Sequence, residues 1–266
     1  MTQHPGGLVA RHDDVGPLHV EHAGAGPAVV LIHAGVADSR MWDPQWAAWH
    51  TRFALTRLDL RGFGRAGPPV GAFSHAGDVL GVLDTAGIGR ALIVGASFGG
   101  LVGLDLATSY PERVAGLVLA DAPLPGYAWS EEMRGFFAAE NAALEAGDLE
   151  AATEINVDFW VGSANEAVRA AIREQQLNAF RLQAGDEADD ALLTNDLPGD
   201  IATLRVRTLV VTGENDKADF RAIADHLAAT IPGARRATVA GAGHLPSLER
   251  PAAFAEVVLP FLEGRA

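Results

Sequence analysis

The chain predicts a mostly parallel, doubly wound α/β sheet that carries a helical insertion. Three observations support this. Short β-branched apolar runs end in turn residues, helical stretches separate them, and one long block lacks any strand pattern. The runs are Ala28 to Ile32, Leu92 to Val94, Val114 to Ala120 and Thr208 to Val211. Continuous apolar runs of this length suit strands covered on both faces, as in a parallel sheet. Phe53 to Leu60 alternates less cleanly but exits at Asp59-Leu60-Arg61-Gly62. Leu18 to His22 reads as an earlier, more exposed antiparallel strand. Helices are expected over Ser74 to Ala86, Gly99 to Ser109 and Asp219 to Thr230. Trp42, Trp46 and Trp49 recur at helical spacing and read as the buried face of a first helix.

The block from Pro123 to Gly199 opens with Pro123, Pro125 and Gly126 and closes with Pro198-Gly199. It shows helical patterns over Ser130 to Ala146, Glu150 to Trp160 and Asn165 to Ala184. The expected division is therefore a core of residues 1–122 and 200–266 with an insertion at 123–199. That insertion holds 15 acidic and 4 basic residues, so −11 of the chain's −14 sits there. The acidic run Gly185 to Asp190 reads as a solvated loop rather than a metal site.

At 266 residues the chain can bury one sizeable core. Its 34 Asp plus Glu against 20 Lys plus Arg would be repelled by a polyphosphate or an anionic membrane. Nucleic-acid and membrane partners are thus not expected. With no cysteine, a thiol nucleophile, disulfides and Cys-ligated metals are excluded. The longest uncharged apolar run, Ala91 to Leu104, is too short to span a bilayer, and Met1 to Ala10 lacks signal-peptide features. A cytoplasmic protein acting on a small molecule is the expectation.

The most informative stretch is Leu92-Ile93-Val94-Gly95-Ala96-Ser97-Phe98-Gly99-Gly100. It places Gly-x-Ser-x-Gly between a strand and a helix. A serine on such a sharp turn has its hydroxyl held clear of neighbours, and the strand and helix approach too closely for side chains at the flanking glycines. Serine needs a base to act as a nucleophile. His244, in the glycine-rich loop Gly241-Ala242-Gly243-His244-Leu245-Pro246, is the candidate. His4, His12, His19, His22, His50, His75 and His226 read as residues in polar surroundings or on helix surfaces. A carboxylate must orient the imidazole. Asp216, just past the run Thr208 to Val211, is favoured, with Asp121 and Asp219 as alternatives. The order Ser97, Asp216, His244 matches one known serine-triad order. Oxyanion donors are expected in the backbone N–H of Phe98, after the nucleophile, and of Gly35, in the loop His33-Ala34-Gly35-Val36. His33, Asp59 and Arg61 read as structural.

With these motifs in place, the chain resembles the α/β-hydrolase superfamily over nearly its whole length. The resemblance rests on His33-Ala34-Gly35 with Trp42, on Asp59-Leu60-Arg61-Gly62-Phe63-Gly64 and on the Ser97 turn. Tyr110-Pro111-Glu112-Arg113-Val114, Gly213 to Asp216 and Gly243-His244 complete it. Two departures are Ala34, where a glycine is usual, and Arg65-Ala66, where a small hydroxyl residue often follows. The resemblance implies the α/β-hydrolase fold with the insertion as a helical lid. It also implies cofactor-free and metal-free hydrolysis of a carboxylic ester or lactone through an acyl-enzyme on Ser97. Perhydrolase (haloperoxidase-like) and carbon–carbon hydrolase chemistry use the same triad, and some members of this fold are ligand receptors. Asp-nucleophile members are disfavoured by the serine. Trp129 and Trp160 in the insertion and Leu245 beside His244 are the candidate substrate contacts. Substrate charge is expected to be neutral, with Arg134, Arg169, Arg173 and Arg181 the places to seek a cation otherwise.

Overall fold

A computed structural model describes residues 3–4, 8–9, 11–15, 18–69, 71–184 and 200–265. A two-residue hairpin pairs Gln3–His4 with Leu8–Val9. The main sheet has eight strands: β1 Arg11–Val15, β2 Leu18–Ala23, β3 Ala28–Ile32, β4 Ala54–Asp59, β5 Ala91–Ala96, β6 Val114–Ala120, β7 Thr208–Gly213 and β8 Arg235–Val239. Their order across the sheet is β8-β7-β6-β5-β3-β4-β2-β1. Strands β3 to β8 run parallel, while β2 pairs antiparallel with both β4 and β1. β2 is largely buried, not the more exposed strand expected, because β1 pairs outside it and makes it interior to the sheet.

The uninterrupted apolar runs explain why these strands form the centre. Along β3, Val29 and Leu31 enter one core layer and Val30 and Ile32 the other, all fully buried. Period-two alternation thus serves two hydrophobic faces at once. The first layer is completed by Trp42, Trp49 and Phe254, the second by Leu83, Leu104 and Ile223. Each such side chain removed from water contributes about 1.5–3 kcal/mol. Trp46 and Trp49 lie on α1 (Asp43–Trp49), whereas Trp42 ends the 3₁₀ turn before it; all three are buried as expected.

Helices α2 (His75–Thr85), α3 (Phe98–Ser109), α7 (Ala218–Thr230), α8 (Pro246–Glu249) and α9 (Pro251–Leu262) accompany the sheet. Between β6 and β7 lie α4 (Glu131–Glu145), α5 (Leu149–Val161) and α6 (Glu166–Gln183). Each begins on the side chain that its sequence offers: Ser130 accepts from Met133 N–H, Asp148 from Ala151 N–H and Asn165 from Val168 N–H. The acidic run Gly185 to Asp190 and the closing Pro198-Gly199 lie outside the described residues.

Polar side chains pin these helices over the strand ends. Gln175 Oε1 accepts the Asp38 N–H at 3.0 Å, Asn178 Nδ2 donates to Gly64 O at 2.8 Å and Gln183 Nε2 donates to Gly62 O at 3.0 Å. The Asp219 carboxylate accepts both the N–H (2.8 Å) and the hydroxyl (2.7 Å) of Ser130. Among the described residues no helix is long and apolar enough to cross a membrane.

Candidate active site

Ser97 sits between β5 and α3 with φ 48° and ψ −116°, a left-handed conformation that side chains rarely adopt. The turn is tight enough that a Cβ on Gly95 would lie 2.1 Å from Gly99 O. One on Gly99 would lie 2.3 Å from Ile32 O. Glycine is therefore required at both positions, and the strain projects Ser97 at the carboxyl end of the sheet.

The structure brings Ser97, His244 and Asp216 together. His244 Nε2 lies 3.0 Å from Ser97 Oγ, and His244 Nδ1 lies 2.8 Å from Asp216 Oδ1. Asp216 also accepts the Lys217 N–H at 2.7 Å. With Nδ1–H donated to the carboxylate, Nε2 is left free to accept the serine proton. Burial opposes ionisation of Asp216, but the facing imidazole, its hydrogen bond and that of Asp121 hold the carboxyl below the usual carboxylate range.

The two alternative carboxylates are elsewhere engaged. Asp219 holds the start of α4 through Ser130. Asp121 follows β6 with φ 50°, is buried, and accepts the Gly213 N–H at 3.0 Å while hydrogen-bonding to Asp216. Its burial and then the charge of Asp216 push the Asp121 carboxyl well above its ordinary value, so it is the protonated member of the pair. Asp121, Asp216 and His244 offer polar atoms within 4.8 Å of one another. Both imidazole nitrogens already face Asp216 and Ser97, so the group does not fit a metal.

Gly35 and Phe98 border the same cavity as Ser97, and a Cβ on Gly35 would lie 3.4 Å from Phe98 Cβ. Phe98 opens α3, so its N–H has no intrahelical acceptor. Beneath this loop His33 is fully buried, with Nδ1 at 2.8 Å from Ala34 O and Nε2 accepting the Leu60 N–H at 3.0 Å. Asp59 accepts the N–H groups of Ser39 (2.8 Å) and Arg65 (2.9 Å). Arg61 meets Asp78 at 2.7 and 2.8 Å. All three are engaged in hydrogen bonds that hold the loops around the site, and Arg61 also borders a neighbouring cavity.

Ser97 and His244 open into a cavity of about 460 Å³ whose wall is largely aromatic, including Phe63, Phe98, Phe136, Phe137, Trp160 and Phe180. Trp160 borders it and lies 4.3 Å from His244, ring centroid to ring centroid. Two expected contacts are displaced. Trp129 packs among Tyr127, Phe137 and Phe220 and does not line the cavity, because the start of α4 turns it toward α7. Leu245 is fully buried in the core and does not line the cavity.

Among the residues that escaped the sequence reading are His75, Glu249, Glu140 and Gln176. His75 is buried between Phe73 and Phe98, not on a helix surface, and borders a second cavity of about 250 Å³. That cavity shares Phe63, Phe98 and Gln183 with the first. Burial, then the charges of His33 and Arg61, pull the His75 pKa down to about 4. Glu249 accepts the Gly243 N–H at 2.8 Å and the Leu245 N–H at 3.0 Å, bracketing His244. Glu140 and Gln176 reach the cavity wall from α4 and α6. Only Glu249 left a local trace, a carboxylate five residues beyond the histidine on a Pro-initiated turn.

Residues 29–257 match the alpha/beta hydrolase family. A relative from Caulobacter vibrioides named for carbamate hydrolysis, RutD, is 31% identical over 264 residues, covering 93% of this chain and 96% of its own. The enol-lactonase of Burkholderia xenovorans LB400 superposes with a TM-score of 0.77 at 28% identity, over 95% of this chain and 100% of that one. A thermophilic esterase of Thermogutta terrifontis gives a TM-score of 0.77 at 25% identity, over 93% of each chain. A match that spans both arms of the sheet and the helices between them establishes the kinship, and the chain belongs to the alpha/beta hydrolase family.

Proposed function

We propose that this hydrolase cleaves a small carboxylic ester or lactone through an acyl-enzyme on Ser97. The observation that carries the reading is the continuous contact from Asp216 through His244 to Ser97 at the mouth of an aromatic cavity. Relatives named for ester, enol-lactone and carbamate hydrolysis support the acyl-transfer class. His244 takes the Ser97 proton as Oγ attacks the carbonyl, and Asp216 stabilises the imidazolium that forms. The N–H groups of Gly35 and Phe98 hold the developing oxyanion. His244 then protonates the leaving alcohol, and a water deprotonated by His244 releases the acid and restores the serine.

The helices of the insertion at 123–199 serve as the lid, supplying Phe136, Phe137, Trp160 and Phe180 to the acyl side of the cavity. Arg169, Arg173 and Arg181 pair with Asp158, Glu154 and Glu150, and Arg134 donates to Trp129 O. None of the four lines the cavity. A carboxylate-bearing substrate would meet no counter-charge there, so anionic acyl groups are disfavoured. The test is turnover of a panel of p-nitrophenyl esters and lactones of graded chain length by purified protein. Saturable turnover of short apolar members is expected, and failure on every ester and lactone would remove the reading.

A further inference from the structure

Beyond Ser97, His244 and Gln183, the polar lining of the catalytic cavity comes from three residues of the insertion helices. Glu140 on α4, Asn156 on α5 and Gln176 on α6 face the same space as Ser97. Asn156 Nδ2 donates to Glu140 Oε1 at 2.6 Å, and Asn156 Oδ1 accepts Trp160 Nε1–H at 3.2 Å. Glu140 thus stands two hydrogen bonds from the indole that lies against His244. The neighbouring carboxylates of the insertion behave differently. Glu150, Glu154 and Asp158 are each about half or more exposed and each is paired with an arginine. Among the described residues Glu140 meets no such cation, its hydrogen-bond partner being the Asn156 amide, and no Arg or Lys lines the cavity.

A partly buried carboxylate without a counter-ion is costly, and a cation arriving with the substrate relieves that cost. Burial outweighs the Asn156 amide and raises the Glu140 pKa, the direction expected of a carboxylate that lacks a nearby cation. Phe136 and Phe137 border the same cavity on α4, and an aromatic face attracts an organic cation.

We propose that Glu140 forms a subsite for an ammonium group, so that the preferred ester or lactone carries a protonated amine at the end remote from its carbonyl. The proposal rests on the ester-hydrolase reading for its substrate, and on the cavity wall alone for its charge. A purely structural role for Glu140, holding Asn156 and so Trp160, would survive replacement by Gln, whose Oε1 still accepts the Asn156 amide. The charge would not.

Binding and turnover test the two readings separately. Calorimetric titration of the wild-type protein at pH 8 and low salt compares n-hexylammonium with 1-hexanol, which share a chain and differ in charge. Hexylammonium is expected to bind roughly tenfold tighter, and in Glu140→Gln the ratio of the two affinities should fall to within about twofold. Equal affinities in the wild type would overturn the subsite. So would a preference that persists in Glu140→Gln, since the diffuse negative charge of the insertion would then account for it. Hydrolysis of p-nitrophenyl butyrate by the wild type is measured alongside. Its absence with the ammonium preference intact would sink the ester reading and leave the cation subsite standing.

Discussion

Asp121 and Asp216 lie side by side next to His244, and burial with the Asp216 charge raises the Asp121 carboxyl while the His244 imidazole holds that of Asp216 down. Neither Oδ2 has an N–H or hydroxyl partner among the described residues, so a proton between them satisfies both. One buried acid stays neutral so that the other can stay charged. Asp121→Asn, which can donate an amide N–H in the same place, should retain activity within about threefold. Asp216→Asn should lower kcat by about 10³- to 10⁴-fold, since it fixes the wrong imidazole tautomer. The check is steady-state turnover of one p-nitrophenyl ester by both variants. Comparable losses in the two would mean that Asp121 shares the orienting role.

The His75 pKa gives a signed pH dependence of stability. Its folded value of about 4 lies below the ordinary 6.5, so between those pH values the unfolded chain binds a proton that the folded one does not. Stability therefore rises with pH across that window, by on the order of 3 kcal/mol at 1.36 kcal/mol per unit. Urea midpoints at pH 5 and pH 7.5 should separate more in the wild type than in His75→Gln. Equal separations would show that His75 is not the group responsible.

Much of this was legible in the sequence because it is local. The Ser97 turn is defined by glycines two residues away on either side, and His33 by the strand it follows. Two helices of the insertion begin where expected, at the capping side chains Ser130 and Asn165, and the third starts at Asp148, two residues before the expected Glu150. What escaped depends on contacts distant in the chain. Trp129 and Trp160 both pack against Phe220, but only Trp160 also reaches His244 and borders the cavity, a difference set by contacts distant in the chain. His75 lies one residue past a serine cap, a position that usually faces solvent, but Phe98 from another helix covers it. Leu245 adjoins His244 in sequence but is buried in the hydrophobic core at the start of α8 and does not border the cavity.

Glu249 should prove a positioning residue. Its two oxygens bind the N–H groups on either side of His244, so Glu249→Ala frees the loop without touching the triad. A displacement of about 1 Å in a reacting group can cost roughly 10²-fold. We expect kcat to fall about 10- to 100-fold with KM changed less than threefold. A fall in thermal stability with kcat unaltered would assign the carboxylate to folding alone.

The central claim is that Ser97 is the nucleophile, and covalent labelling tests it most directly. Intact-mass spectrometry after treatment with a fluorophosphonate should show one adduct per chain, with peptide mapping placing it on Ser97. Ser97→Ala should take up none and lose at least about 10³-fold in ester turnover while remaining folded. An adduct on another residue, or near-normal turnover in Ser97→Ala, would contradict the account.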